Sequence, residues 1–139
     1  MFDKVTQDNL RCYFSTIRTF VPLLRATPES VIVNIGSMAG QRGGGSNLAY
    51  AASKAGVDSL TRNLSQTIAP IRVMGVSPGA IETGFVPNPA DGYYEQVAKS
   101  TPLKRVPTVV DVASAVEASI MLLRFTTGHV INVDGGRWI

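Results

Sequence analysis

The chain has 139 residues, 45% apolar and 17% charged, with a formal net charge of +3; this suits one domain with one ordinary core and excludes a disordered chain. The lone cysteine, Cys12, excludes an internal disulfide and a cysteine zinc cage, and the lone histidine, His129, excludes a His-rich metal site and weighs against a Ser-His-Asp triad. No run approaches the ~20 apolar residues of a membrane span, MFDKVTQDNL lacks the apolar stretch of a secretory signal, and no Lys/Arg cluster accompanies the basic pI, so a cytoplasmic protein without nucleic-acid or membrane partners is expected.

Residues 3–25 predict a helix. Leu10, Phe14, Ile17, Val21 and Leu24 form one apolar stripe, spaced 4, 3, 4 and 3 apart. Tyr13, Thr16 and Phe20, led by Asn9, form a second on a neighbouring face, so the helix needs two partners, such as a sheet and another subunit. Pro22 should kink it or close it early, and Cys12 reads as a buried helix thiol. Val31–Ile35 is a nearly continuous apolar run, a strand buried on both faces. Gly36 to Asn47, with five glycines, reads as a loop. A helix from about Tyr50 to Ala69 follows; Val57, Leu60, Leu64 and Ile68 are its core stripe and Pro70 its stop. Ile71–Val76 is a second strand, broken by Pro78-Gly79. Residues 79–107 are irregular and proline-rich, the mark of a functional loop, with a short helix near Tyr93–Ser100. Thr108 looks like an N-cap with Asp111 three residues on, and Val112, Val116, Ile120 and Leu123 are the stripe of the helix it opens. His129–Val133 is a third strand, stopped by Asp134-Gly135-Gly136.

Strands separated by amphipathic helices imply an α/β fold with a parallel sheet and right-handed crossovers. Val31–Ile35 has no earlier strand to pair with, which suggests a missing neighbour, because bare apolar edges aggregate.

Tyr50-Ala51-Ala52-Ser53-Lys54 carries the sharpest chemical signal. Residues i and i+4 lie about 40° apart around a helix, and these two share a face with Val57, Leu64 and Ile68. Burying a lysine there is costly without a reason. A chemical reason is available: a nearby ammonium favours phenolate, which makes tyrosine a usable general acid/base. The bland alternative is a surface tyrosine beside a snorkelling lysine. Context favours the first. Ser37 lies just past the end of the Ile32–Ile35 strand, and Pro78–Thr83 lies at the same end of the next, the rim where open α/β sheets bind ligands.

These motifs, in this order, make the chain similar to the C-terminal part of a short-chain dehydrogenase/reductase over nearly all its length. Ser37 matches the serine after I-V-N-I-x-S. Tyr50 and Lys54 match Y-x-x-x-K, and Asn9 is the candidate for the family's helix asparagine. Pro78-Gly79 through Thr83 resembles P-G-x-I-x-T, and Thr127–Gly136 resembles the closing T-G-x-x-x-x-V-D-G-G. The resemblance implies a partial Rossmann-like doubly wound fold and an NAD- or NADP-dependent oxidoreductase working between a carbonyl and an alcohol. It implies Asn9, Ser37, Tyr50 and Lys54 as catalytic residues. Tyr50 would exchange the proton, Ser37 would hydrogen-bond the same oxygen, Lys54 would activate Tyr50 and hold the ribose, and Asn9 would fix a relay water. It implies Tyr50, Lys54, Pro78, Gly79, Ile81 and Thr83 at the cofactor, no metal, a small carbonyl or alcohol substrate met by the 84–107 loop, and a homodimer or homotetramer.

The family's N-terminal half has no counterpart. No T-G-x-x-x-G-x-G turn is present to receive a pyrophosphate, and Gly36 to Arg42 fails as an imitation because arginine stands at the last glycine position. A second reading is therefore a non-catalytic remnant that serves as an oligomerisation module.

Overall fold

The computed structural model describes residues 1–43, 45, 47–86 and 88–138. Gly44 and Ser46 of the predicted 36–47 loop, Pro87 of the 84–107 loop and Ile139 lie outside the described residues.

The three apolar runs form β1 (Val31–Ile35), β2 (Arg72–Pro78) and β3 (Val130–Val133), a parallel sheet in that spatial order. Ile35 stands opposite Val76 and Pro78 opposite Val133. The central strand is the driest: Val73, Met74, Val76 and Ser77 are inaccessible to solvent. β1 was expected to be buried on both faces and is not. It is an edge, with Val31, Ile32 and Val33 half-buried and Ile35 38% exposed.

The N-terminal helix runs through three stretches: α1 (Phe2–Thr6), a π turn (Gln7–Arg11) and α2 (Cys12–Arg25). A π turn spends one extra residue, so side chains beyond it shift by one place relative to a regular helix. This breaks the single stripe read from the sequence. Leu10 faces the next long helix, Ile17 is buried with Val21 and Leu24 against it, and Phe14 and Phe20 are left exposed. Cys12 is also exposed, contrary to expectation; its Sγ–H donates to the Asp8 carbonyl. Pro22 does not close α2 early, because it lies in the last turn and only the Arg18 carbonyl is deprived of a donor.

The predicted loop after β1 contains a one-turn helix, α3 (Met38–Arg42). α4 (Leu48–Thr67) starts two residues earlier than expected because Asn47 caps it. α5 (Tyr93–Ser100) and α6 (Val109–Met121) fall where expected, and α6 opens on a complete Thr108/Asp111 capping box.

The helices cover both faces of the sheet. Ile17, Ile68 and Leu64 pack with Val73, and Asp58 of α4 meets Ser77. Arg72, which alternation turns to the other face, donates to the carbonyls of Ser119 and Ile120 on α6. Both crossovers step in the same direction across the sheet but on opposite faces, so they have opposite hands, and the expectation of uniformly right-handed connections fails. The preference for one hand comes from a strand feeding directly into its crossover helix. Here the long 79–107 segment intervenes before α6 and relaxes that constraint.

α3 packs tightly on α4 at Gly40. A Cβ there would sit 2.5 Å from Ala55 N and 2.6 Å from Lys54 C. These are backbone atoms within α4 and cannot swing aside. Gly40→Ala should therefore cost about 1–3 kcal/mol, read as a lowered urea midpoint at unchanged slope. A neutral substitution would show that α3 is loosely seated.

Candidate active site

All three strands end at one rim. The chain leaves it in register: Gly36 N–H donates to the Val76 carbonyl at 2.8 Å and Gly79 N–H to the Val133 carbonyl at 3.0 Å. Position 36 has room only for glycine, since a Cβ would lie 2.3 Å from Ser77 Oγ and 2.8 Å from Asp58 Oδ1. Ser37 follows as the N-cap of α3, and its Oγ accepts the Ala39 N–H at 3.2 Å. Capping uses a lone pair and leaves the hydroxyl proton available to a partner.

Across the rim, Asn47 Oδ1 accepts the Tyr50 N–H at 2.9 Å, which fixes Tyr50 in the first turn of α4. The half-buried Tyr50 ring lies 6.1 Å from the Phe85 ring, tilted at 45°. One turn further, Lys54 is only 7% exposed. Its Nζ donates to the Ile35 carbonyl at 2.9 Å and to Tyr13 Oη at 3.4 Å. Nζ stands 5.9 Å from the centre of the Tyr50 ring and 5.3 Å from that of Tyr13. Burial pushes the Lys54 pKa below the ordinary lysine value, against smaller opposing effects of Cys12 and Asp58. Lys54 thus ties α4 to the end of β1, two residues before Ser37.

The structure places Ser37, Tyr50 and Lys54 at one rim. Asn9 lies in the π turn, with its Nδ2 donating to the Val5 carbonyl at 3.0 Å and no hydrogen bond to Lys54. Pro78 and Gly79 close β2 at the same rim; Ile81 and Thr83 follow on the outgoing loop, where the Ile81 carbonyl accepts from Tyr94 Oη at 3.5 Å and Thr83 is exposed.

Two groups were missed from the sequence. Tyr13 donates to the Ile35 carbonyl at 2.9 Å, and burial pushes its phenol pKa up; its place on the second stripe was the only signal. Asp58, one turn beyond Lys54, is 3% exposed and accepts from Gln41 Nε2 at 3.1 Å and Ser77 Oγ at 3.5 Å. Burial raises its pKa. Gln41 in turn exchanges side-chain amide bonds with Asn132 at 2.9 and 3.0 Å. This polar cross-link joins α3, α4, β2 and β3 beneath the rim. An acidic residue four places after Lys54, on the same helix face, was the clue available.

Residues 1–137 match the family model described as enoyl-(acyl carrier protein) reductase. The chain is 35% identical to YusR of Bacillus subtilis, a short-chain dehydrogenase/reductase homologue, over 125 residues, 89% of this chain and 95% of that one. It is 30% identical to the 3-oxoacyl-[acyl-carrier-protein] reductase FabG of Staphylococcus epidermidis, covering 99% of this chain but 58% of the reductase. A Leptospira borgpetersenii short-chain dehydrogenase with bound NAD+ superposes with a TM-score of 0.88 at 28% identity, over 99% of this chain and 56% of that one. The chain therefore spans little more than half the length of FabG and of the Leptospira enzyme, and nearly all of YusR.

Proposed function

The chain belongs to the short-chain dehydrogenase/reductase family, and on that premise we propose that it is the C-terminal catalytic portion of an NAD(P)-dependent oxidoreductase that interconverts a carbonyl and an alcohol. The supporting observation is the Lys54 ammonium, buried at the sheet rim beneath Tyr50 and bonded to the Ile35 carbonyl, two residues before Ser37. A buried cation at the mouth of a parallel sheet calls for a chemical use.

The residues fit the nicotinamide–ribose end of a dinucleotide. Lys54 has three N–H groups; two are engaged by Ile35 and Tyr13, and the third is left for ribose hydroxyls. The Ile81 backbone and Thr83, on the loop after Pro78-Gly79, would hold the carboxamide. When bound, the nicotinamide supplies or accepts the hydride. Tyr50 gives its hydroxyl proton to the developing alkoxide, or removes it in the reverse direction. Ser37 donates to the same oxygen and stabilises the charge forming there. Asn9 would hold a water through Oδ1 behind Lys54. The 84–107 segment serves as the substrate loop, and Phe85 against Tyr50 favours a partly apolar substrate.

A second reading, the remnant that self-associates, is favoured by the lack of a glycine-rich pyrophosphate turn in this sequence and by exposed Phe14, Phe20 and Leu23 on α2. Two measurements on the purified chain separate them: fluorescence titration with NADH and NADPH, and carbonyl-dependent loss of dihydronicotinamide absorbance. The enzyme reading expects saturable binding, weakened by the missing pyrophosphate contacts, with carbonyl-dependent oxidation. Binding of neither cofactor overturns the activity for this chain; a homodimer or homotetramer by light scattering would then favour the remnant.

A further inference from the structure

Tyr13 is hydrogen-bonded to Lys54 yet has no part in the reaction above. Its hydroxyl closes a triangle. Tyr13 Oη donates to the Ile35 carbonyl at 2.9 Å, Lys54 Nζ donates to that carbonyl at 2.9 Å, and Lys54 Nζ also donates to Tyr13 Oη at 3.4 Å. We infer that Tyr13 is a positioning residue for Lys54: its hydroxyl, anchored on the Ile35 carbonyl, takes one ammonium N–H and thereby fixes which N–H remains for Tyr50 and the cofactor ribose. This rests on the reading of Lys54 as the lysine of the reaction.

The hydrogen-bond inventory supports an orienting role over proton relay. A carbonyl oxygen has two lone pairs and can accept from both donors. Tyr13 commits its only proton to Ile35, so it presents a lone pair to the ammonium. A carbonyl cannot carry the proton onward, so the hydroxyl is a fixed acceptor and not a link in a proton chain. The two phenol rings, Tyr13 at 5.3 Å and Tyr50 at 5.9 Å, also flank the cation.

The local fold accounts for the placement. Tyr13 lies two residues past the π turn, whose extra residue displaces the following side chains by one position. The π turn is seated by Leu10 against Gly56 of α4, where a Cβ would come within 2.8 Å of Leu10 Cδ2. That close seat brings α2 near enough for Tyr13 to reach Lys54. Three elements face the ammonium: β1 offers the Ile35 carbonyl, α2 offers Tyr13 and Cys12, and α4 offers Tyr50 and Asp58. Of these side chains, Tyr13 alone accepts a hydrogen bond from Nζ.

The test is NMR titration of this chain, isotopically labelled at lysine Cε and tyrosine Cζ, with Lys54→Gln used for assignment. In Tyr13→Phe the Lys54 midpoint should fall, because a neutral acceptor that favours the ammonium is gone. In the unmutated chain the Tyr13 Cζ resonance should inflect at the Lys54 midpoint, a readout that survives even if the variant does not fold. Where turnover is measurable, Tyr13→Phe should lower kcat about tenfold at unchanged carbonyl KM. A Lys54 midpoint unmoved by the substitution, a Tyr13 signal blind to Lys54, or a rise in KM alone overturns the inference. Loss of turnover in Tyr50→Phe belongs to the reaction itself, so a failed activity assay and a failed titration are separate results.

Discussion

Tyr50→Phe should leave the protein folded and remove turnover by about a thousandfold, within the range by which general acid/base groups accelerate proton transfer. The substitution deletes one oxygen. The ring that meets Phe85 remains, as does the Asn47 cap on the Tyr50 N–H. The hydroxyl has no hydrogen-bond partner among the described residues, so its removal strands no buried group, and the thermal midpoint should stay within the small range of neutral substitutions. Cofactor affinity should change little, because on the proposed reading Lys54 and the Ile81–Thr83 loop would supply the main contacts. Parallel measurement of kcat, the NADH or NADPH dissociation constant and the melting midpoint checks all three expectations. A variant that keeps its rate would mean that some other group delivers the proton, and the proposed chemistry would fail.

The parts of this site that were legible in the sequence are those whose signal is local. β1 and β2 announce themselves as apolar runs ended by glycine or proline, the Thr108/Asp111 box starts α6 at the expected residue, and Tyr50 to Lys54 needs only helical spacing to share a face. What escaped was set by contacts distant in sequence. The π turn at Gln7–Arg11 has no strong propensity signature; it is stabilised by the seat of Leu10 on Gly56, 46 positions away in the chain. Without it, Phe14 joins the core stripe on paper and Tyr13 is only a residue on a neighbouring face. α3 was hidden because a five-residue helix among glycines carries no periodicity, and only the Ser37 cap marks it. The buried face of α4 was legible only in part, through Val57, Leu64 and Ile68. Its driest positions include Ser53, Asp58, Thr61 and Ser65, small polar residues that an apolar-stripe reading passes over, yet Asp58 and Thr61 reach across to β2 and β1.

The exposed β1 edge and the missing pyrophosphate turn belong to one physical picture. In a doubly wound sheet, the pyrophosphate sits at a glycine-rich turn into a helix N-terminus, and the strand that leads into that turn needs a paired neighbour. Here β1 is a half-buried edge strand, and this sequence holds no such glycine-rich turn. On the proposed reading, the rim would supply the proton-transfer group and the hold on the nicotinamide end of a cofactor.

Lys54→Met should make the protein more stable and inactive. Methionine is unbranched and flexible enough to fill the lysine slot beside Tyr13 and Tyr50. The carbonyl of Ile35 keeps the Tyr13 hydroxyl as a donor, so no acceptor is stranded. What disappears is a buried cation. Burial holds the Lys54 pKa below its ordinary value, so between that lowered value and about 10.4, the unperturbed lysine value, the unfolded chain binds more protons than the folded one. Stability then rises with pH through that window, is complete on this account above it, and falls as pH drops through the folded pKa. At neutral pH the ammonium is therefore a cost, and its removal should raise the urea midpoint. The wild-type-minus-variant difference should shrink as pH climbs into the alkaline range. Turnover should fall at least ~100-fold, since no cation remains to favour the phenolate or hold the ribose. A variant that loses stability at neutral pH would identify Lys54 as a structural clamp between α4 and β1, and would take away the physical reason for assigning it to the reaction.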